Sequence, residues 1–365
     1  MNPLVPGFGL IFLAAIAGGM FAVPLRMQRR YAWENTWLLA FLFALVIIPL
    51  IVVSIFLPVW ASAVAAAGPA TVLSAIAFGF LWGWGAVTFA IGISTIGLSV
   101  GFSTIMGLST AVGSIIPMIR RWDEVPGNAK AVILLGIAVC IGGVAICGRA
   151  GTLRERATTP KSNSEGNPAS QQSQAMKVFL VGIAWCLLSG FLSACANLGF
   201  DFADRIAQEA QRLGAGPLSA SVGRWIAVYW GGYLAILIGS GSKMLKQGTW
   251  RNYFAVGSGR DFGLAIAAGG CHFLAQIPYG MGAYYLGRLG TTVGWVINIA
   301  SSLLVANVFA FLTKEWKGAP RSAVRTLFAG LAVLVTAMVI ISYGNSIIEQ
   351  VSSQNTARLL PSATR

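Results

Sequence analysis

Long uncharged apolar runs alternate along this chain with short charged breaks. Windows free of Asp, Glu, Lys and Arg fall at 8–25, 35–57, 71–94, 96–119 and 131–148, then at 178–200, 225–242, 262–287, 289–313 and 326–343. A bilayer core is roughly 30 Å thick, and a helix crosses it with about 20 apolar residues. Each window meets that length, with 131–148 and 225–242 drawing on their flanks, so the pattern predicts ten transmembrane helices. A β-barrel would show segments of about ten residues with alternating polarity, and the continuous runs do not. The fold class is an all-α polytopic membrane protein.

The longest polar stretch, 149–177, is rich in Ser, Gln and Pro and cannot bury enough apolar surface to order itself. It divides the windows five and five. The chain therefore reads as a first five-helix repeat at 1–148, a flexible cytoplasmic linker at 149–177, a second repeat at 178–343 and a polar C-terminal tail at 344–365. A repeat with an odd number of spans places its second copy upside down, giving two inverted five-helix repeats. Ile96-Gly97-Leu98-Ser99-Val100-Gly101 between spans 3 and 4 parallels Leu289-Gly290-Thr291-Thr292-Val293-Gly294 between spans 8 and 9, and in that register Ser109 falls on Ser302.

Composition agrees: 56% of residues are hydrophobic and 10% charged, which excludes an ordinary soluble domain. The net charge of +14 suggests a nucleic-acid partner until the basic residues are placed. They lie between the spans. With the N-terminus outside, the inner loops hold 16 of the 25 Lys and Arg residues, among them Arg29, Arg30, Arg149, Lys243 and Lys314. Positive charge stays on the cytoplasmic side during insertion, so both termini are expected outside, with the lipid bilayer as partner and no nucleic acid. The N-terminal MNPLVPGFGL lacks a basic leader and reads as the start of the first span. Five cysteines lie in apolar segments without a CxxC pair and read as small buried hydrophobes.

Several stretches resemble the L-rhamnose-proton symporter family, within the drug/metabolite transporter superfamily of ten-helix carriers. They include Trp33-Glu34-Asn35-Thr36-Trp37, Phe78-Gly79-Phe80-Leu81-Trp82-Gly83-Trp84-Gly85 and Gly148-Arg149-Ala150-Gly151 with Leu153-Arg154-Glu155-Arg156. Asn197, Gly269-Gly270 with Gln276, Trp295 and Lys314-Glu315-Trp316 follow in order. Arg120-Arg121-Trp122-Asp123-Glu124 departs from the family. The resemblance implies secondary active uptake of L-rhamnose or a similar neutral or deoxy sugar across the bacterial inner membrane. A proton gradient would drive it, with no cofactor.

A carrier needs a polar midplane site, because a bare amide or imidazole in hydrocarbon is costly. Span 8 carries His272, Gln276 and Tyr279 along one side. Span 9 places Trp295, Asn298 and Ser302 at i, i+3 and i+7, an aromatic platform beside polar hooks. Trp82 in span 3 and Asn197 in span 6 complete the candidate substrate-binding set. The same residues also suit interhelical hydrogen bonding or close packing. Proton coupling points to Glu34, His272 and Asp204, with Asp201 and Asp261 as further carboxylates. Pro278 in span 8 is expected to interrupt a backbone bond. An exporter or exchanger of another metabolite is the alternative function. A membrane-embedded enzyme is disfavoured, since no HExxH, GxSxG or P-loop occurs.

Overall fold

The computed structural model describes residues 4–158, 168–312, 314 and 316–359. Ten long helical segments appear among them. We number them α1 (Leu4–Met20, continued by Ala22–Arg26), α2 (Trp33–Leu42, Phe43–Ile47 and Ile48–Phe56), α3 (Pro69–Ile96), α4 (Leu98–Arg120) and α5 (Gly127–Thr158). The second set is α6 (Pro168–Phe202), α7 (Trp225–Gln247), α8 (Ser258–Tyr285), α9 (Gly290–Leu312) and α10 (Arg321–Leu359). Short helices at Trp60–Ala67, Asp204–Arg212 and Pro217–Gly223 cover the end of the bundle nearest the N-terminus.

Nine of these segments are long and apolar enough to cross a bilayer, which makes the chain a multi-pass membrane protein. The tenth, α8, has the length, at 28 residues, but falls outside that group. Its Gly, His and Gln residues lower its apolarity, and α1, α2 and α9 pack around it. A span sheltered by protein need not be apolar on every side. It stays one helix through Pro278, so the expected interruption is confined to the local bond.

Helices α5 and α6 both run into the stretch expected to be a flexible linker. Residues 149–158 continue α5 and 168–177 begin α6, while 159–167 lie outside the described residues. Tertiary packing holds the α5 extension. Ala150 is buried with Trp316 and Leu327, and the Arg154 guanidinium lies 4.9 Å from the centre of the Trp316 ring. The expected tail is helical to Leu359 in the same way, with Ile348 in the core; 360–365 lie outside the described residues.

Neighbour relations follow a simple rule. Helix α1 packs on α8 and α9 as α6 packs on α3 and α4; α2 packs on α8 as α7 packs on α3. The pairs α4–α5 and α3–α4 correspond to α9–α10 and α8–α9, while α2–α7, α4–α9 and α5–α10 map onto themselves. Exchanging each helix with the one five later reproduces these principal contacts. Glycine sets two features of this packing. Gly97, at φ +90°, makes the one-residue reversal between α3 and α4. A β-carbon on Gly79 or Gly231 would overlap the carbonyl oxygens of Val228 and Ile76, so α3 and α7 meet backbone to backbone.

Candidate functional site

His272 lies on the inner side of α8, within a wall of rings from three other helices. Trp82 of α3 stacks on the imidazole at 5.9 Å and 14°, while Phe21 of α1 and Phe41 of α2 meet it edge-on at 5.5 and 5.2 Å. Trp37 shares Phe21 and Phe41 as neighbours, at 6.0 and 5.1 Å. Tyr229 of α7 stacks on Trp225 at 5.3 Å and reaches Trp82 at 6.4 Å. Helix α2 adopts its π-helical turn, Phe43–Ile47, where it passes Gly269 of α8, and such turns recur at functional sites.

Three polar atoms of this aromatic cluster are buried without a hydrogen-bond partner among the described residues: His272 Nε2, Tyr229 Oη and Trp37 Nε1. Native proteins pair nearly all such atoms, so a cluster of unpaired ones inside an aromatic wall needs a reason. Tyr229, Phe21 and Phe41 were not singled out from the sequence. Their signal is their meeting in space, across helices far apart in the chain.

Asn197, Tyr279 and Trp295 come together one layer nearer the N-terminal face, and each has its hydrogen-bond partner there. The Tyr279 hydroxyl donates to Asn197 Oδ1. Asn197 Nδ2 donates to the carbonyls of Gly113 (2.7 Å) and Thr291 (3.0 Å), and Trp295 Nε1 donates to that of Ser109 at 3.0 Å. This network ties α4, α6, α8 and α9. Gln276, Asn298 and Ser302 are half-buried and have no side-chain hydrogen bond among the described residues. Gly294 and Val305 lie against Ile11 and Gly19 of α1, and helical spacing places Asn298 on that same face, away from Trp295's contact with α4.

The candidate carboxylates are ion-paired or hydrogen-bonded at the two ends of the bundle. At the N-terminal face, Asp201 is 1% exposed, pairs with Arg120 and with Arg121 at 2.8 Å, and accepts the Thr291 hydroxyl at 2.8 Å. Asp204 pairs with Arg224. It opens the short helix after α6 instead of continuing the face of Asn197 and Asp201. At the opposite face, Glu34 accepts from Thr249 at 2.8 Å and lies 3.4 Å from Lys243 Nζ. Asn35 binds the Thr249 carbonyl at 2.9 Å, and Asp261 Oδ2 accepts the backbone amides of Arg29 and Tyr31 at 3.1 and 3.0 Å. Tyr253, in the α7–α8 connection, donates to the Asn35 carbonyl; burial pushes its hydroxyl up to about 12, so it remains a donor at neutral pH.

Residues 2–347 match the family model of the L-rhamnose-proton symport protein (RhaT). Relatives named L-rhamnose-proton symporter include those of Cronobacter sakazakii and Pectobacterium atrosepticum, each 25% identical. The first covers 94% of this chain and 98% of its own length, the second 95% and 99%. A third, from Yersinia pestis, is 23% identical over 94% of this chain and 98% of its own. With a match over nearly the whole length, the chain belongs to the L-rhamnose-proton symport family of membrane transporters.

Proposed function

We propose that this protein imports L-rhamnose, or a similar neutral or deoxy sugar, together with protons across the bacterial inner membrane. Alternating access by two inverted halves would move it, with both termini outside and no bound cofactor. The observation that carries this reading is the aromatic cluster with its three unpaired polar atoms. A deoxy sugar offers both matching chemistries: CH faces and a methyl group for the rings of Trp82, Phe21 and Phe41, and hydroxyls for His272, Tyr229 and Trp37. Gln276, one turn from His272 and unbonded, adds an amide within reach of the same helix face.

Proton coupling falls to His272 in this reading. Glu34 and Asp204 have cationic partners in Lys243 and Arg224, whereas the imidazole has no charged group among its ring contacts. Supporting the orientation with both termini outside, the loops assigned to the cytoplasm hold the excess of Lys and Arg.

The test is uptake of labelled L-rhamnose into proteoliposomes of purified protein, with an imposed inward proton gradient and competing sugars. Accumulation above the external concentration, abolished by a protonophore, is the expected result. Absence of rhamnose flux in protein shown to be folded would overturn the assignment of the sugar.

A further inference from the structure

The ion pairs of Asp201 with Arg120 and Arg121 at one face, and the bonds of Glu34 and Asn35 at the other, join the first five helices to the second five, while Thr291 braces Asp201 from within the second set. At the N-terminal face, Arg120 and Arg121 end α4, while Asp201 ends α6 and Thr291 begins α9. At the opposite face, Glu34 and Asn35 begin α2, and Lys243, Thr249 and Asn252 belong to the end of α7 and the connection after it. Any motion that opens one face of the bundle must break the bonds that tie its helix ends there.

The N-terminal latch is suited to breaking. Its hub, Asp201, is 1% exposed, but the Arg120 and Arg121 side chains are 38% and 21% exposed. Rehydrating two guanidinium groups already at water is far less costly than stranding them in hydrocarbon. On the water side, a cavity of about 320 Å³ lined by Arg121, Asp204, Arg224, Tyr284 and Thr291 forms a vestibule above the hub. Below it, contacts run back to the aromatic cluster. Asn197 lies one turn before Asp201 and bonds the Thr291 carbonyl, whose own hydroxyl bonds Asp201. Tyr279 donates to Asn197, packs on Trp225 at 6.0 Å, and Trp225 stacks on Tyr229 of the aromatic cluster.

We propose that Asp201, clasped by Arg120 and Arg121, is the hub of the gate that closes the N-terminal face over the aromatic cluster. Glu34 with Lys243 and Thr249 closes the other face. This inference deepens the alternating-access reading and rests on it, but not on the identity of the sugar. Asp201 acts as a positioning residue and touches no solute.

The experiment is distance measurement between paired spin labels in full-length protein whose five native cysteines have been replaced. One pair, W122C with L213C, spans the N-terminal face; the other, M27C with W250C, spans the opposite face, and all four positions are exposed. Asp201→Asn is expected to raise the long-distance fraction of the first pair at least about ten-fold and leave the second pair without a new long component. That is the shift expected when charge-assisted bonds are lost from one of two states. The double variant R120Q/R121Q opens the same pair from the other side of the latch and carries the test should Asp201→Asn fail to fold. Glu34→Gln is expected to lengthen the second pair instead. An unchanged N-terminal-face distribution in the folded variants would overturn the gate. None of these arms contains sugar, so their failure is distinct from failure of rhamnose uptake.

Discussion

At the residue scale, the useful distinction is between polar groups that the protein satisfies and those that it leaves open. Asn197 makes three hydrogen bonds inside the bundle, so Asn197→Ala strands the Tyr279 hydroxyl and two carbonyls. The expected cost is about 1–3 kcal/mol of stability, seen as a lower melting temperature in detergent. Gln276→Ala removes no side-chain hydrogen bond made among the described residues and is expected to leave the melting temperature unchanged while raising the KM for uptake. Equal loss of stability in the two variants would contradict the division. His272→Phe keeps the ring stack with Trp82 but deletes Nε2, and a roughly ten-fold or greater fall in kcat/KM for rhamnose is expected. His272→Gln restores a polar group without a titrating one, so it should recover downhill flux but not accumulation against the gradient. Retained uphill transport in His272→Gln would remove the imidazole from coupling.

At the scale of elements, the sequence carried the helices better than their surroundings. The windows at 8–25 through 326–343 each fall largely within a long helix, because a bilayer demands length and apolarity that local composition records. The stretches at 149–158 and 168–177 read as linker for the same reason: polar composition hides the contact of Ala150 and Arg154 with Trp316, some 160 residues away. His272, Trp82, Asn197 and Tyr279 were visible as polar or aromatic residues in spans, but which were satisfied depended on neighbours from other helices. The Arg120-Arg121 pair stood out only as a departure from the family, since its partner Asp201 is 81 positions distant. Glycine supplies an element-scale test. Gly231→Ala would press a methyl group into the Ile76 carbonyl and force α3 and α7 apart. A loss of about 1–3 kcal/mol is expected. Since Trp82 and Tyr229 ride on these two helices, rhamnose affinity should fall with it. An unaltered melting temperature would show that the helices separate more easily than their backbone contact implies.

For the whole molecule, the contact pattern that repeats on exchanging each helix with the one five later gives both faces equivalent architecture and different chemistry. Two arginines and a buried carboxylate close one face; the Glu34 carboxylate with Thr249 and Lys243, and the bond from Asn35 to the Thr249 carbonyl, close the other. Which of these meets the outside decides whether a solute first encounters the arginine latch. Basic residues favour the face bearing Arg29, Arg30, Lys243 and Lys314 as cytoplasmic, and α10 then ends outside. Fusion of alkaline phosphatase to the C-terminus is expected to give active enzyme, and fusion of green fluorescent protein through the Sec pathway to give dark cells. A bright fusion with inactive phosphatase would turn the molecule over, putting Asp201 and its arginines at the cytoplasmic exit. The latch would still join the two halves, and its opening would then release sugar instead of admitting it.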